Sequence, residues 1–146
     1  ETDRLVLDKD VRRVVLCSGK VYYDLLQARR DGDIKDVALV RLEQFYPWPR
    51  KTLYQQLSRY PNAEVLWCQE EPANTGGWFF VYPRLQAMFD KLDGVNKRPV
   101  YVGRKAAASP ATGNNKVHVA EQAELVERAL SGKIEDIPQP FVRSGY

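Results

Sequence analysis

The chain is poor in the residues that build metal and redox centres: of 146 residues, two are cysteine, one is histidine and one is methionine. Cys17 and Cys68 sit inside separate apolar runs and form no C-x-x-C. Buried thiols in a reducing compartment are therefore expected, rather than a disulfide or a metal site. With His118 as the single histidine, a multi-histidine metal centre is excluded. No G-x-S-x-G elbow supplies a nucleophile for that histidine to activate. The phosphate-loop fingerprints G-x-x-x-x-G-K and G-x-G-x-x-G are absent too. No stretch reaches the roughly 18 to 20 apolar residues of a membrane helix, and the opening ETDRLVLDKD lacks a signal peptide's apolar run, so a soluble chain is expected. Neither charge sign dominates: 22 Lys and Arg against 19 Asp and Glu give +3, too little to predict nucleic acid or a membrane surface as partner.

What is present is the composition of one folded domain, 44% apolar and 28% charged. Short β-branched runs predict buried parallel strands at Arg13–Cys17, Val37–Leu42, Glu64–Cys68 and Val100–Val102. Leu5–Leu7 adds a candidate fifth strand, antiparallel at an edge because the link to Arg13 is too short for a helical crossover. Helical spacing predicts helices from Lys20 to Arg30, after Pro49 through Leu53 and Leu57, and from Trp78 to Leu92. Pro83 is expected to split the third or start a new turn, and Gly94 to close it. A last helix is expected to bury Val119, Ala123, Val126 and Leu130, capped by Gly132. The expected organisation is an N-terminal linker or edge strand over 1–10, a three-layer α/β/α domain over 11–132, and a polar, proline-punctuated tail over 133–146.

Three places offer chemistry. Ser18-Gly19-Lys20 leaves the first strand for a helix, which fits an anion site or simply a cap and a turn. Gln69-Glu70-Glu71-Pro72 precedes Asn74, Gly76, Gly77 and Trp78. Neighbouring carboxylates at a strand end point apart, so ordering of the glycine loop or a subunit interface competes with acid–base chemistry. Between Gly94 and Ala120 there is no acid, while Lys97, Arg98, Arg104, Lys105 and Lys116 bring five positive charges. That stretch reads as an anion or acidic-partner site, or as a solvated basic loop. His118 is expected at a first helical turn or an interface rather than in catalysis.

The strings RRVVLCSGKVYYDL (12–25), VRLEQFYPWP (40–49), YPNAEVLWCQEEPANTGGW (60–78) and VGRKAAASPATGNNKVH (102–118) strongly resemble the carboxyl-terminal part of the 2-oxoglutarate dehydrogenase family, the thiamine-diphosphate-dependent decarboxylases. The resemblance runs from about Val11 to Leu130, and Gly77, Phe80 and Tyr82 are local departures. It implies the transketolase C-terminal fold, with a five-stranded, mixed but mostly parallel sheet in order 1-3-2-4-5 and the first strand antiparallel. It further implies a homodimeric parent of the tricarboxylic acid cycle. That parent decarboxylates 2-oxoglutarate with thiamine diphosphate and magnesium and succinylates the lipoyl group of the dihydrolipoamide succinyltransferase component.

In that family the cofactor is held by two preceding domains, one through a G-D-G motif. Asp31-Gly32-Asp33 is not that motif and reads as a turn. No catalytic, cofactor or metal residue is therefore expected in this chain, which becomes an assembly domain inactive alone. The alternatives are the same domain of a 2-oxoadipate enzyme, or a free-standing anion or nucleotide module. On the implied strand order, Ser18, Gly19 and Lys20 flank one crevice with Glu70 and Glu71. An anionic effector, a nucleotide or coenzyme A derivative, is expected between that crevice and Arg104, Lys105 and Lys116. Glu70, Glu71, Asn74, Trp78 and His118 are the expected interface residues. Bacterial cytoplasm or, in a eukaryote, mitochondrial matrix suits the reduced cysteines.

Overall fold

The structure, a computed structural model, describes residues 3–92, 98–108 and 113–140. Four strands, β1 (Arg13–Cys17), β2 (Val37–Arg41), β3 (Glu64–Pro72) and β4 (Val100–Arg104), form a parallel sheet in the order β2-β1-β3-β4. Four helices connect and cover them: α1 (Val21–Asp31), α2 (Arg50–Ser58), α3 (Trp78–Phe89) and α4 (Asn115–Leu130). Strand periodicity divides the core between two faces. Val14, Leu16, Val65 and Trp67 pack with Leu53 and Leu57 of α2 and Val81 and Leu85 of α3. Val15, Cys17, Leu66 and Cys68 pack with Val21 and Leu25 of α1 and Leu125 and Ala129 of α4. Helices on both faces make three layers, as expected. The chain leaves β1 toward β2 over one face and returns to β3 and β4 over the other, the arrangement that crossovers of a single hand require.

The expected fifth strand is not among the described strands. Leu5–Leu7 makes one backbone bond to the segment before β2, from the Val6 N–H to the Lys35 carbonyl at 2.9 Å, and the 3-10 turn Asp8–Asp10 then ends the run. One bond is too little to make a ladder. Two strands run further than their apolar cores predict, so Glu70, Glu71 and Arg104 stand on strands. Pro83 does not split α3: it lies on the exposed side, where its ring meets solvent instead of packed neighbours. The expected stop at Gly94 lies outside the described residues; α3 ends at Phe89.

In α4 the expected stripe holds at Val126 and Leu130 and fails in the first half of the helix. Val119 is 58% exposed and Ala123 is exposed, while Leu125, Val126, Ala129 and Leu130 are buried. The segment expected as a tail also packs. Ile137 is buried, and the Gln139 side chain accepts from the Tyr101 N–H at 3.0 Å and donates to the Tyr101 carbonyl at 3.1 Å. A side-chain amide thus occupies β4's backbone groups as a neighbouring strand would.

At the opposite end of the sheet, Arg13 is fully buried on β1. Its guanidinium donates to Glu64 on β3, its register partner, at 3.0 and 3.1 Å. The same group donates to the carbonyls of Arg128, Ala129, Ser131 and Gly132 at 2.9 to 3.3 Å, and Arg12 takes the carbonyl of Leu130 at 3.0 Å. Two arginines therefore satisfy five successive carbonyls at the C-terminus of α4, where the helix dipole also favours positive charge. Replacing Arg13 with Met is expected to cost about 3 to 5 kcal/mol in urea unfolding, because it strands Glu64 and four carbonyls together. A cost within 1 kcal/mol would show that the clamp does not hold α4.

Cys17 and Cys68 are both free and buried, directly opposite each other in register on β1 and β3. Burial pushes the Cys17 thiol from 9.0 up to about 12, and raises Cys68 well above its ordinary value. A pKa higher in the folded than in the unfolded chain stabilises the fold fully below about pH 9. That contribution is lost as pH climbs toward 12. The free energy of urea unfolding is expected to fall above pH 9 with a slope of up to about 1.4 kcal/mol per pH unit per thiol, and to fall less steeply in Cys17→Ala/Cys68→Ala. Parallel slopes for the two proteins would contradict the assignment to the thiols.

Candidate functional site at the carboxyl edge of the sheet

The connection from β1 leads toward β2 and that from β3 toward β4, on opposite faces, so a crevice opens beyond the carboxyl ends of β1 and β3. On one side Gly19 turns the chain with φ +76°, and α1 begins after Lys20. Ser18 does not cap that helix: Lys20 holds the cap position, with no side-chain cap bond. On the other side buried Gln69 organises the loop after β3. Its Oε1 accepts from Trp67 Nε1 at 2.9 Å and from the Trp78 N–H at 3.0 Å. Its Nε2 donates to the carbonyls of Glu71, Pro72 and Thr75. Gly77 is required there, since a Cβ would stand 2.7 Å from Phe45 Cζ and 2.8 Å from Trp67 Cζ2.

Over the crevice lies a polar network drawn from α1, β3, β4 and α4. The Arg104 side chain, 9% exposed, places Nη2 2.8 Å from His118 Nδ1 and Nε 3.1 Å from Glu121 Oε2. The Glu121 contact is an ion pair without hydrogen-bond alignment, since Nε has no hydrogen-bond partner. Arg104 also reaches Gln122 Oε1 at 3.5 Å. Gln122 Nε2 donates to Asp24 at 2.8 Å and to Glu70 at 3.1 Å. Glu70 in turn lies 4.0 Å from Lys20 Nζ.

Of the residues singled out from the sequence, Lys20, Glu70, Arg104 and His118 come together. Lys105 and Lys116 are exposed and stand apart from the cluster, and Lys97 lies outside the described residues. Asn74 is held by both ends of its amide, donating to the Ala107 carbonyl at 2.8 Å and accepting from its N–H at 3.0 Å. Glu71 is exposed. Trp78, expected at an interface, is 4% exposed, packed against Tyr82 and Tyr101. It supplies core area rather than contact surface.

Sequence reasoning missed Asp24, Glu121 and Gln122, and it gave the ordering of the glycine loop to a glutamate where Gln69 does it. The available signal was spacing: His118, Gln122, Leu125 and Ala129 share one helical stripe, polar at the start and apolar at the end. Two cations in the network face three carboxylates, so it is not the uncompensated positive site that the acid-free run from Gly94 to Ala120 predicted. The acids come from elsewhere in the chain, from Asp24 and Glu70, and from Glu121 one residue beyond the run.

Residues 1–130 match the family model described as 2-oxoglutarate dehydrogenase C-terminal. The chain belongs to this family. It is 51% identical over 127 residues to the 2-oxoglutarate dehydrogenase E1 components of Brucella anthropi, Brucella ovis and Brucella canis. Those alignments cover 87% of this chain and 13% of each relative, so the chain spans about an eighth of the length of the curated relatives it matches. In this 2-oxoglutarate dehydrogenase C-terminal domain, Asn74→Ala is expected to cost only about 1 kcal/mol, as an exposed pair of bonds should. The same change is expected to speed trypsin cleavage after Arg104 or Lys105 several-fold. Unchanged cleavage would mean that Asn74 does not anchor the segment.

Proposed function

We propose that the chain is a non-catalytic assembly domain of a homodimeric 2-oxoglutarate decarboxylase, the E1 component that passes a succinyl group to the lipoyl group of the succinyltransferase component. The observation that carries this reading is the mutual pairing of charges in the carboxyl-edge network. Glu70, Asp24 and Glu121 are each engaged by Lys20, Gln122 or Arg104, which suits a rigid platform better than proton transfer. The residues do not fit thiamine diphosphate with magnesium, because among the described residues no three carboxylate, imidazole or thiol side chains converge as a metal would require. The cofactor is assigned to domains outside the chain, and no step of the reaction is assigned here.

An anionic effector at this edge would have to displace Glu70 from Lys20 or Glu121 from Arg104. The name of the bacterial relatives supports 2-oxoglutarate over 2-oxoadipate and a bacterial cytoplasmic setting. Sedimentation equilibrium of the chain alone and mixed with the preceding domains, with lipoyl-dependent 2-oxoglutarate turnover assayed on the same samples, tests the proposal. The expected result is no turnover alone, and association that restores turnover in the mixture. A monomer that neither binds those domains nor changes their activity would overturn it.

A further inference from the structure

On the other face of the sheet, α2 and α3 leave between them a groove of about 440 Å³. Trp48 and Met88 contribute its apolar floor, and Arg50, Lys51, Arg84 and Lys91 its rim. No lining residue is acidic, and neither 44–63 nor 72–89 contains a single Asp or Glu. Unlike the cations of the carboxyl-edge network, these have no carboxylate partner among the described residues that line the groove. Arg50 and Lys51 also occupy the first turn of α2, which holds no acid although the helix dipole favours negative charge there. A bound anion would relieve both the mutual repulsion of the rim and this unfavourable placement.

The groove is built in advance of any occupant. Arg84 Nη1 donates to the Phe80 carbonyl at 2.7 Å, and its guanidinium lies 3.6 Å from the Phe80 ring centroid. Phe80 packs edge-on to Trp48 at 6.2 Å between centroids. Arg84 stands on α3 and Lys91 just beyond its end at Phe89, so both cations flank the α3 side of the groove.

We infer that the α2/α3 groove docks an acidic amphipathic segment of a partner polypeptide, with apolar side chains on Trp48 and Met88 and carboxylates on the four cations. The apolar floor is recessed behind the charged rim, which suits an inserted side chain and not a membrane surface. A floor that includes an aliphatic side chain gives no continuous stacking platform for nucleic acid. The inference does not depend on the assembly role, since it concerns the opposite face of the sheet.

The test uses fluorescence anisotropy with a labelled 16-residue helical peptide, glutamate along one face and leucine and phenylalanine along the other. It is titrated with the full chain at low salt. Saturable binding is expected, weakened about tenfold or more by Lys51→Glu/Lys91→Glu and by a peptide with glutamine for glutamate. Both lysines are exposed, so reversing them leaves the packing intact, which circular dichroism checks. In the wild-type complex, Lys51 and Lys91 are expected to be protected from chemical acetylation. Absence of binding, or equal binding by the reversed variant or the glutamine peptide, would overturn the inference. So would tighter binding to phosphatidylglycerol vesicles or to a DNA duplex. Protection of both lysines without peptide, in a longer chain that carries the preceding domains, would reassign the groove to an intramolecular interface and likewise overturn it.

Discussion

The constraint on which the rest of this domain depends is the buried guanidinium of Arg13. An unpaired cation in a core costs several kcal/mol of desolvation, so Arg13 is tolerable only while Glu64 and the end of α4 are in place around it. The dependence runs both ways. A helix terminus buried against a sheet needs partners for its last carbonyls, and those of α4 find them in Arg12 and Arg13. The central strand, the neighbouring strand and the last helix therefore fix one another, although more than a hundred residues separate Arg13 from Gly132.

Fixing α4 at its C-terminus has consequences for its N-terminus. A helix of 16 residues spans about 24 Å, so an anchor beneath β1 carries the first turns of α4 over the opposite edge of the sheet. There the inward stripe changes character, from Leu125 and Ala129 to Gln122 and His118, because it now faces strand ends and not strand faces. Gln122 is suited to that place: its amide donates to two carboxylates while its oxygen meets Arg104, so one neutral side chain mediates between groups of opposite sign. The network is thus part of how α4 is seated.

The same change of character explains where the sequence could be read and where it misled. Strands β1 to β4 were legible because a sheet covered on both faces demands continuous β-branched runs, and those runs have few other interpretations. The layer order followed from the spacing between them. The buried side of α4 was legible by apolar counting only at Val126 and Leu130: in the first half Val119 and Ala123 continue an apolar pattern on the solvent side, while His118 and Gln122 hide the inward one. The balance of charge in the network was invisible for a related reason: Glu121, which pairs with Arg104, stands just past the acid-free run, and Asp24 and Glu70, which Gln122 joins, are distant in sequence and meet only in the fold. Leu5–Leu7 has strand-like composition, but composition cannot show whether a partner edge is long enough to receive it. Gln139 sits among prolines and reads as tail, yet its amide is chemically a peptide group and can complete a sheet edge.

The two faces of the sheet end up electrostatically unlike. Under α1 and α4 the described charged residues are interlocked, with Glu70, Arg104 and Glu121 each facing a partner, as low dielectric favours. Over α2 and α3 the packing is aromatic, through Phe45, Trp48, Trp67 and Phe80, and the cations are pushed to the rim. Aromatic clusters need no polar compensation, so this face could lose its acids without loss to the core. Arg84 rests on Phe80, and solvent screens the exposed Arg50, Lys51 and Lys91; over about 8 Å at physiological salt that screening is incomplete for charges gathered round one groove. A surface can keep such repulsion only where it is small against the total stability, and on this domain that stability is anchored elsewhere, at Arg13 and along the interlocked face.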